Sequence, residues 1–514
     1  MKHSRTVNSI INVFVAVSGQ GIGIVVSFIA RIYFVHLLGK DYLGVNSLFT
    51  NIVGLLSLAE LGVGTAINYS LYKPLAEKNV EKVKSLMRLY KKVYLYIGLI
   101  IFGIGIIITP FIQFFMKTSD TNSVPNIRII FLLFVINSAV SYLYSYKRAL
   151  IISDQYRYIA TIYRYVFFCL MNIFQIIVLI FSKNYVLFLV VMFMSTFFEN
   201  YFISKKADDM YPYLKDKNVI PLEHADIYEI KKNTVALLFH KIGSSVVNST
   251  DNILISKIIG ISMVGIYSNY LLITNAFNII IGQLFNALVA SIGNMGASDR
   301  GRRAENIFYN LFYINFIVAS VISACILSSV NILIQAWFGT SMVLSINVII
   351  IITINFYIYQ IRRTVLTFRD AYGLYWYDRY KALVEAILNL IISIILGIKL
   401  GLVGILIGTI VSCLITSVWI EPYILYKYAF NSNLKKYFIK LLVYSSITVL
   451  DCFISYKFIL LINFKGFIGF LLGCILSCVI TVMFDTVFFI KSKELNEFYQ
   501  ILRKSITIIF RSWR

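Results

Sequence analysis

Three observations on the sequence predict an all-α integral membrane fold. Of 514 residues, 59% are hydrophobic and only 14% charged, with a mean hydropathy of +0.80. Apolar blocks of about 20 to 30 residues recur throughout, each long enough to cross a hydrocarbon core of about 30 Å as a helix. These blocks are continuous rather than alternating, which excludes the lipid-facing strands of a barrel. A soluble domain of this length covers its surface with charge, and this chain lacks the residues to do so.

Fourteen helical segments follow in order: 7–36, 42–72, 93–116, 126–150, 158–182, 185–204, 233–257, 262–292, 306–334, 346–368, 380–398, 402–426, 437–457 and 465–490. The basic stub Lys2 and Arg5 leads into an apolar run to His36 without a small-residue cleavage site, so the first segment reads as a retained helix. Several segments exceed 25 residues, which implies tilt or extension past the bilayer.

Basic residues set the expected orientation. With the amino terminus inside, 36 of the 47 Lys and Arg fall on inner segments. Lys40, Lys117, Arg128, Lys183, Lys257, Lys399, Lys457 and Lys465 lie outside or at outer helix ends. That asymmetry places both termini in the cytoplasm by the positive-inside rule. It also accounts for the net charge of +23 by inner loops facing anionic lipid, with no need for nucleic acid.

Outer connections are short, so an extracellular catalytic domain is not expected. The inner loop 205–232 holds Asp208 and Asp209, an adjacent pair without converging ligands. No P-loop, His-rich metal motif or nucleophile elbow occurs, which argues against an enzyme and against ATP hydrolysis. The six cysteines fall within apolar segments and read as small buried hydrophobes.

The chain repeats itself. A shift of 221 residues carries "LLGKDYLGVNS" (Leu37 to Ser47) onto "IIGISMVGIYS" (Ile258 to Ser268), aligning Gly39 with Gly260 and Gly44 with Gly265. It also carries Arg148 to Arg369 and Tyr156 to Tyr377. Two six-helix lobes with the same membrane orientation are therefore expected as parallel repeats, with substrate sites between the halves. The expected organisation is an N-lobe over 1–206, a cytoplasmic inter-lobe loop over 207–232, and a C-lobe over 233–426. Two further helices and a cytoplasmic tail occupy 427–514.

The stretches "LGKDYLGVNSLFTNIVGLLSLAELGVGTAINYSLYKPL" and "STDNILISKIIGISMVGIYSNY" resemble polysaccharide flippases of the multidrug/oligosaccharidyl-lipid/polysaccharide exporter superfamily. The resemblance implies movement of undecaprenyl-diphosphate-linked oligosaccharide from the inner to the outer leaflet by alternating access. Capsule, teichoic acid or a similar surface polysaccharide would be the product, in the plasma membrane of a bacterium. Polysaccharide polymerase and glycosyltransferases are the expected partners, and no cofactor is expected beyond a coupling Na+ or H+. A peptidoglycan-precursor flippase and a cation-coupled multidrug antiporter remain alternatives.

Such a cargo needs cations for its diphosphate. Burying a lone cation mid-helix costs about 2.5–3.5 kcal/mol on insertion scales, so deep cations usually face a cavity. Arg31, Arg164 and Lys241 are the deep ones, and Arg148 and Arg369 occupy repeat-equivalent places near the inner mouth. Guanidinium groups suit phosphate oxygens, whereas lysine acts as a point charge. Each has a plainer alternative: Arg31 pairing with Glu60, Arg164 and Lys241 snorkelling, Arg148 and Arg369 serving topology. Glu60, within "LLSLAELGVGTAIN", and Asp251 are the candidates for charge balance or coupling. Gly62 and Gly64 would permit bending or close contact beside Glu60. Tyr142, Tyr144, Tyr146, Tyr357 and Tyr359 are expected in an interfacial aromatic belt, and Asp451 and Asp485 in packing or interface roles.

Overall fold

The computed structural model describes residues 5–497 except 61, 121–122, 217, 299–300, 493 and 496. For residues 5–10, 225, 229, 232–233, 235–244, 246–248, 290–291, 294–298, 302–303 and 375 it describes the backbone alone. All regular structure among the described residues is helical. Among the described residues thirteen helical stretches, some made of consecutive helices, are long and apolar enough to cross a membrane. The remaining segment expected to span, 233–257, falls within one long helix whose side chains lie largely outside the described residues.

Helix contacts divide the chain into two compact units, Met1–Gly265 and Ile266–Arg514. The first contains α1 (Arg5–Leu38), α2 (Lys40–Leu56), α3 (Val63–Ala76), α4 (Val80–Ile108), α5 (Ile127–Ser153), α6 (Arg157–Ser182), α7 (Tyr185–Met210) and α8 (His224–Ile258). Helix α9 (Ile261–Ser298) begins in this unit and continues into the second. The second adds α10 (Arg302–Phe338), α11 (Ile346–Ile361), α12 (Arg363–Ala371), α13 (Lys381–Leu400), α14 (Leu402–Ile415), α15 (Ser417–Leu425), α16 (Lys435–Ile462) and α17 (Gly466–Phe489).

Three segments expected as single helices are broken. The span over 42–72 divides into α2, a 3-10 turn at Ser57–Glu60, and α3. Gly62 causes the division: its φ of +79° is left-handed, which ends a helix and which residues with a Cβ rarely adopt. The span over 346–368 divides into α11 and α12, and that over 402–426 into α14 and α15. Elsewhere the starts follow ordinary capping chemistry. Asn79 accepts from the Lys82 amide at 3.0 Å to begin α4, and Asn184 accepts from Val186 at 2.9 Å to begin α7.

Unit 1 is built around a core in which Met87, Tyr90 and Ile97 of α4 meet Leu150 of α5 and Ile203 of α7. In unit 2 Phe308, Phe312 and Phe316 form one face of α10 and pack against Phe368, Phe430, Tyr437 and Tyr444, edge-on to the first two and stacked on the last. Small residues bring α13 and α14 together. A Cβ on Gly404 would lie 2.0 Å from the Leu396 carbonyl oxygen, and Asn389 donates to Thr409 Oγ1 at 3.0 Å. Lipid offers no hydrophobic drive for this pairing, so close backbone approach and polar contacts supply it.

The repeat is visible in the backbone. Gly39 (φ +87°) separates α1 from α2, and its equivalent Gly260 (φ +138°) separates α8 from α9. Within unit 1 the equivalent helix starts pack reciprocally. A Cβ on Gly44 would lie 2.0 Å from the Ile261 carbonyl oxygen, and one on Gly265 would lie 2.1 Å from that of Lys40. Lys40 and Ile261 are themselves repeat equivalents, so the contact is self-complementary, as across a two-fold axis. Ser262 Oγ donates across it to Asp41 Oδ1.

Neither glycine can accept a methyl group without separating the two backbones. Gly44→Ala and Gly265→Ala should each destabilise the protein by about 1–3 kcal/mol, the usual cost of overpacking. Gly54→Ala, at a helical site with nothing within 4 Å, should not. Thermal unfolding in detergent checks this, and equal behaviour of all three variants would contradict the contact.

Candidate functional site

Glu60 stands where α2 has ended and α3 has not begun, a position hydropathy alone reads as mid-helix. A break at membrane depth leaves backbone groups that need partners. The Tyr94 hydroxyl, from α4, donates to Glu60 Oε1 at 2.9 Å. The buried Tyr90 hydroxyl lies 3.2 Å from that of Tyr94 and 3.3 Å from the Gly64 carbonyl oxygen. Tyr142 of α5 closes the group edge-on to Tyr94, with ring centroids 5.4 Å apart. Gly64 makes room for it, because a Cβ there would meet Tyr94 Oη at 2.1 Å and Glu60 Oε1 at 2.6 Å. Glu60, Gly62 and Gly64 thus act together: one glycine breaks the helix and the other admits the tyrosine to the acid.

The other expected site residues of unit 1 come from several helices. Arg31 is half-buried on α1, Arg164 is exposed on α6, and Asp251 is half-buried on α8. Lys241 lies outside the residues whose side chains are described. Arg148, near the end of α5, donates to Glu199 Oε1 and to Asn200 Oδ1 (3.3 Å), both on α7. Its neighbour Lys147 bonds Asp208 Oδ2 at 2.7 Å. Of the tyrosines expected at the interface, Tyr146 and Tyr357 are buried in the cores of their units, and Tyr142 is half-buried. The Tyr357 hydroxyl meets Ser445 Oγ at 3.3 Å, an internal polar partner that accounts for its burial.

Sequence reasoning assigned the basic loop-end residues to topology alone, but the structure gathers several around one cavity. At the loop end of unit 1 a cavity of about 540 Å³ is lined by Lys84, Arg88 and Lys91 of α4, Lys147 of α5, and Lys215 beyond α7. Asp208 and Asp216 are the acids in its wall. Lys84 bonds Asp216 Oδ2 at 2.9 Å, and this hydrogen bond holds the Asp216 carboxyl below its usual range. Five bases against two acids leave a positive lining, suited to phosphate oxygens.

In unit 2 Arg369 lies in a buried ionic network. It donates to Asp370 Oδ1 at 2.9 and 3.1 Å and to Asp378 Oδ2 at 2.5 Å. Glu421, wholly buried, receives Arg362 through Nε at 3.1 Å and Nη2 at 2.7 Å, and Lys381 as well. Glu385 accepts from Ser417 Oγ at 2.6 Å. Beside this network Arg363 faces Tyr359, its guanidinium 5.2 Å from the ring centroid, at a small cavity of about 120 Å³. Glu421 was legible by the signal that picked out Glu60, a lone acid in an apolar stretch ("SVWIEPYIL"). Its repeat equivalent is Asn200, the residue that Arg148 holds.

Removing one partner of a buried pair leaves a bare charge. Glu421→Gln should cost about 3–5 kcal/mol and lower accumulation, because Arg362 and Lys381 both lose their counter-ion. Tyr94→Phe should cost only about 1 kcal/mol. Thermal unfolding of the two variants in detergent ranks them, and an unaffected Glu421→Gln would overturn the network's role.

No protein-family model matches the chain, and no curated protein matches it in sequence. Solved structures do match. The lipid II flippase MurJ, in an inward closed conformation, superposes with a TM-score of 0.64 at 15% identity, over 94% of this chain and 99% of its own. An inward-facing multidrug resistance MATE family transporter of the MOP superfamily gives 0.61 at 13% identity, over 80% and 98%. A MOP superfamily transporter from Pyrococcus furiosus, described as having a binding pocket of reversed polarity, gives 0.50 at 13%, over 81% and 96%. The chain is a multi-pass membrane protein with the fold of MOP superfamily flippases and exporters.

Proposed function

We propose that this chain is a flippase for polyprenyl-diphosphate-linked oligosaccharide, moving repeat units of a surface polysaccharide from the inner to the outer leaflet by alternating access. The observation that carries the reading is the extent of the shared fold. The match to a lipid flippase takes in 94% of the chain, whereas the match to a MATE family transporter leaves a fifth outside. The positive cavity of unit 1 supports it, since a diphosphate headgroup requires cations to replace its lost hydration. A drug antiporter with cationic cargo calls for the opposite polarity. In this reading the protein sits in a bacterial plasma membrane with both termini cytoplasmic, as the positive-inside rule directs. Polymerase and glycosyltransferases act on either side of the transport step.

The same shared fold favours a second reading, a peptidoglycan-precursor flippase, because the first structural match is a lipid II flippase. Both cargoes present a diphosphate to the protein and differ in the glycan. Turnover would draw on an H+ or Na+ gradient, and Glu60 and Asp251 are the proposed charge-balancing groups. One charge crossing 100 mV is worth about 2.3 kcal/mol, enough to bias a two-state equilibrium more than tenfold.

Arg31, Arg164, Lys241, Arg148 and Arg369 are the proposed phosphate-handling residues, and Arg31 is the most direct to test. Arg31→Ala should accumulate normally in the membrane yet bind a polyprenyl-diphosphate oligosaccharide at least about tenfold more weakly, a loss of about 1.4 kcal/mol. Native mass spectrometry of the purified protein, with the diphosphate lipid and its dephosphorylated alcohol, reads this out. Equal affinity of the wild type for both lipids would count against the cargo. Unchanged affinity in Arg31→Ala would remove Arg31 from the site.

A further inference from the structure

Helices α10, α16 and α17 enclose two carboxylates that have no cationic partner among the described residues. Ser320 Oγ of α10 donates to Asp451 Oδ2 of α16 at 2.7 Å. Helix α10 runs antiparallel to α17, with Ser328 Oγ 2.9 Å from Ser477 Oγ at one level and Phe316 against Phe489 at another, ring centroids 5.7 Å apart. Between those levels the same register sets Ser320 opposite Asp485. Asp451 and Asp485 therefore flank Ser320, and the two interact electrostatically.

Both are buried, Asp451 wholly and Asp485 to within 2%. Asp451 Oδ1 and both oxygens of Asp485 have no hydrogen-bond partner. Three hydroxyls around them are also buried without partners: Ser455 one turn from Asp451, Thr481 one turn from Asp485, and Ser323 one turn from Ser320. The other titratable groups where these helices pack are Cys452 of α16, Cys325 of α10, Cys474 and Cys478 of α17, and Tyr357 of α11, none of them a cation. Among the described residues no Lys, Arg or His lies within 4 Å of either acid, in contrast to Glu421, which has two bases.

Two like charges cannot stay side by side in a low-dielectric interior without compensation. The group offers only oxygen atoms, the ligand type that suits H+ and hard cations. Among the described residues no third His, Cys, Asp or Glu joins the two acids, and one positive charge is enough to relieve their repulsion. We propose that Asp451 and Asp485 form a monovalent-cation site between α10, α16 and α17, taking H+ or Na+. Occupancy removes the repulsion between α16 and α17, so their packing on α10 responds to the cation. The site stands on this geometry alone; its use in energising transport rests on the flippase reading above.

Infrared difference spectra of the full-length protein in lipid nanodiscs test it without any transport assay. One arm steps pH at fixed salt, and the other exchanges Na+ for a bulky organic cation at fixed pH. A carboxyl signal should follow one of the two steps and vanish in Asp485→Asn and Asp451→Asn, but persist in Asp209→Asn, which alters an exposed loop-end acid. A pH-driven signal identifies H+ as the ligand. A Na+-driven signal, with one bound Na+ lost in the same variants, identifies Na+. Each substitution is isosteric, and either variant that unfolds at the wild-type temperature suffices. Wild-type spectra from both arms in either folded variant would overturn the proposal.

Discussion

Charge inside hydrocarbon must be met by a partner, and this constraint organises both units. The apolar helices form wherever the sequence is long and greasy enough, but their polar residues decide how they meet. In unit 2 the network of Arg362, Arg369 and Lys381 with Asp370, Asp378 and Glu421 ties α11 and α12 to α13 and α15. In unit 1 Arg148 and Lys147 tie α5 to α7 through Glu199 and Asp208. Glu60 is met by a tyrosine hydroxyl, and the break in its own helix is what lets that hydroxyl reach it.

Much of the fold was legible because hydropathy and length report directly on bilayer crossing. The repeat was legible too. A shift of 221 aligned Gly39 with Gly260 and Gly44 with Gly265, and these residues turn the chain and let the equivalent helix starts touch. The breaks were not legible. An apolar run across Ser57–Gly64 carries no hydropathy signal of Gly62 entering the left-handed region. What marked the place was the odd residue, an acid followed by two glycines, rather than any periodicity.

The candidate site was only partly readable, for a related reason. Arg148 and Arg369 stood out by repeat equivalence, but their partners Glu199 and Asp378 are brought to them by tertiary packing. Lys84, Arg88 and Lys91 read as inner-loop charge, and nothing local announces that Lys147 and Lys215 converge on the same cavity. Glu421 resembled Glu60 in its apolar setting, and its pairing with Arg362 and Lys381 is a product of tertiary packing that the local sequence does not announce.

In the flippase reading proposed above, a charged headgroup crosses a region that rejects charge, and the balance of local charge decides what is accepted. The positive cavity of unit 1 is compatible with an anionic cargo, while the compensated network of unit 2 holds its own helices together. The most direct measurement is transbilayer movement of a fluorescent polyprenyl-diphosphate oligosaccharide by the purified chain in sealed proteoliposomes without nucleotide. The account predicts saturable movement faster than in protein-free vesicles, competed by unlabelled diphosphate lipid and not by cationic drugs. No acceleration of the diphosphate lipid, together with gradient-driven uptake of a cationic dye, would contradict it.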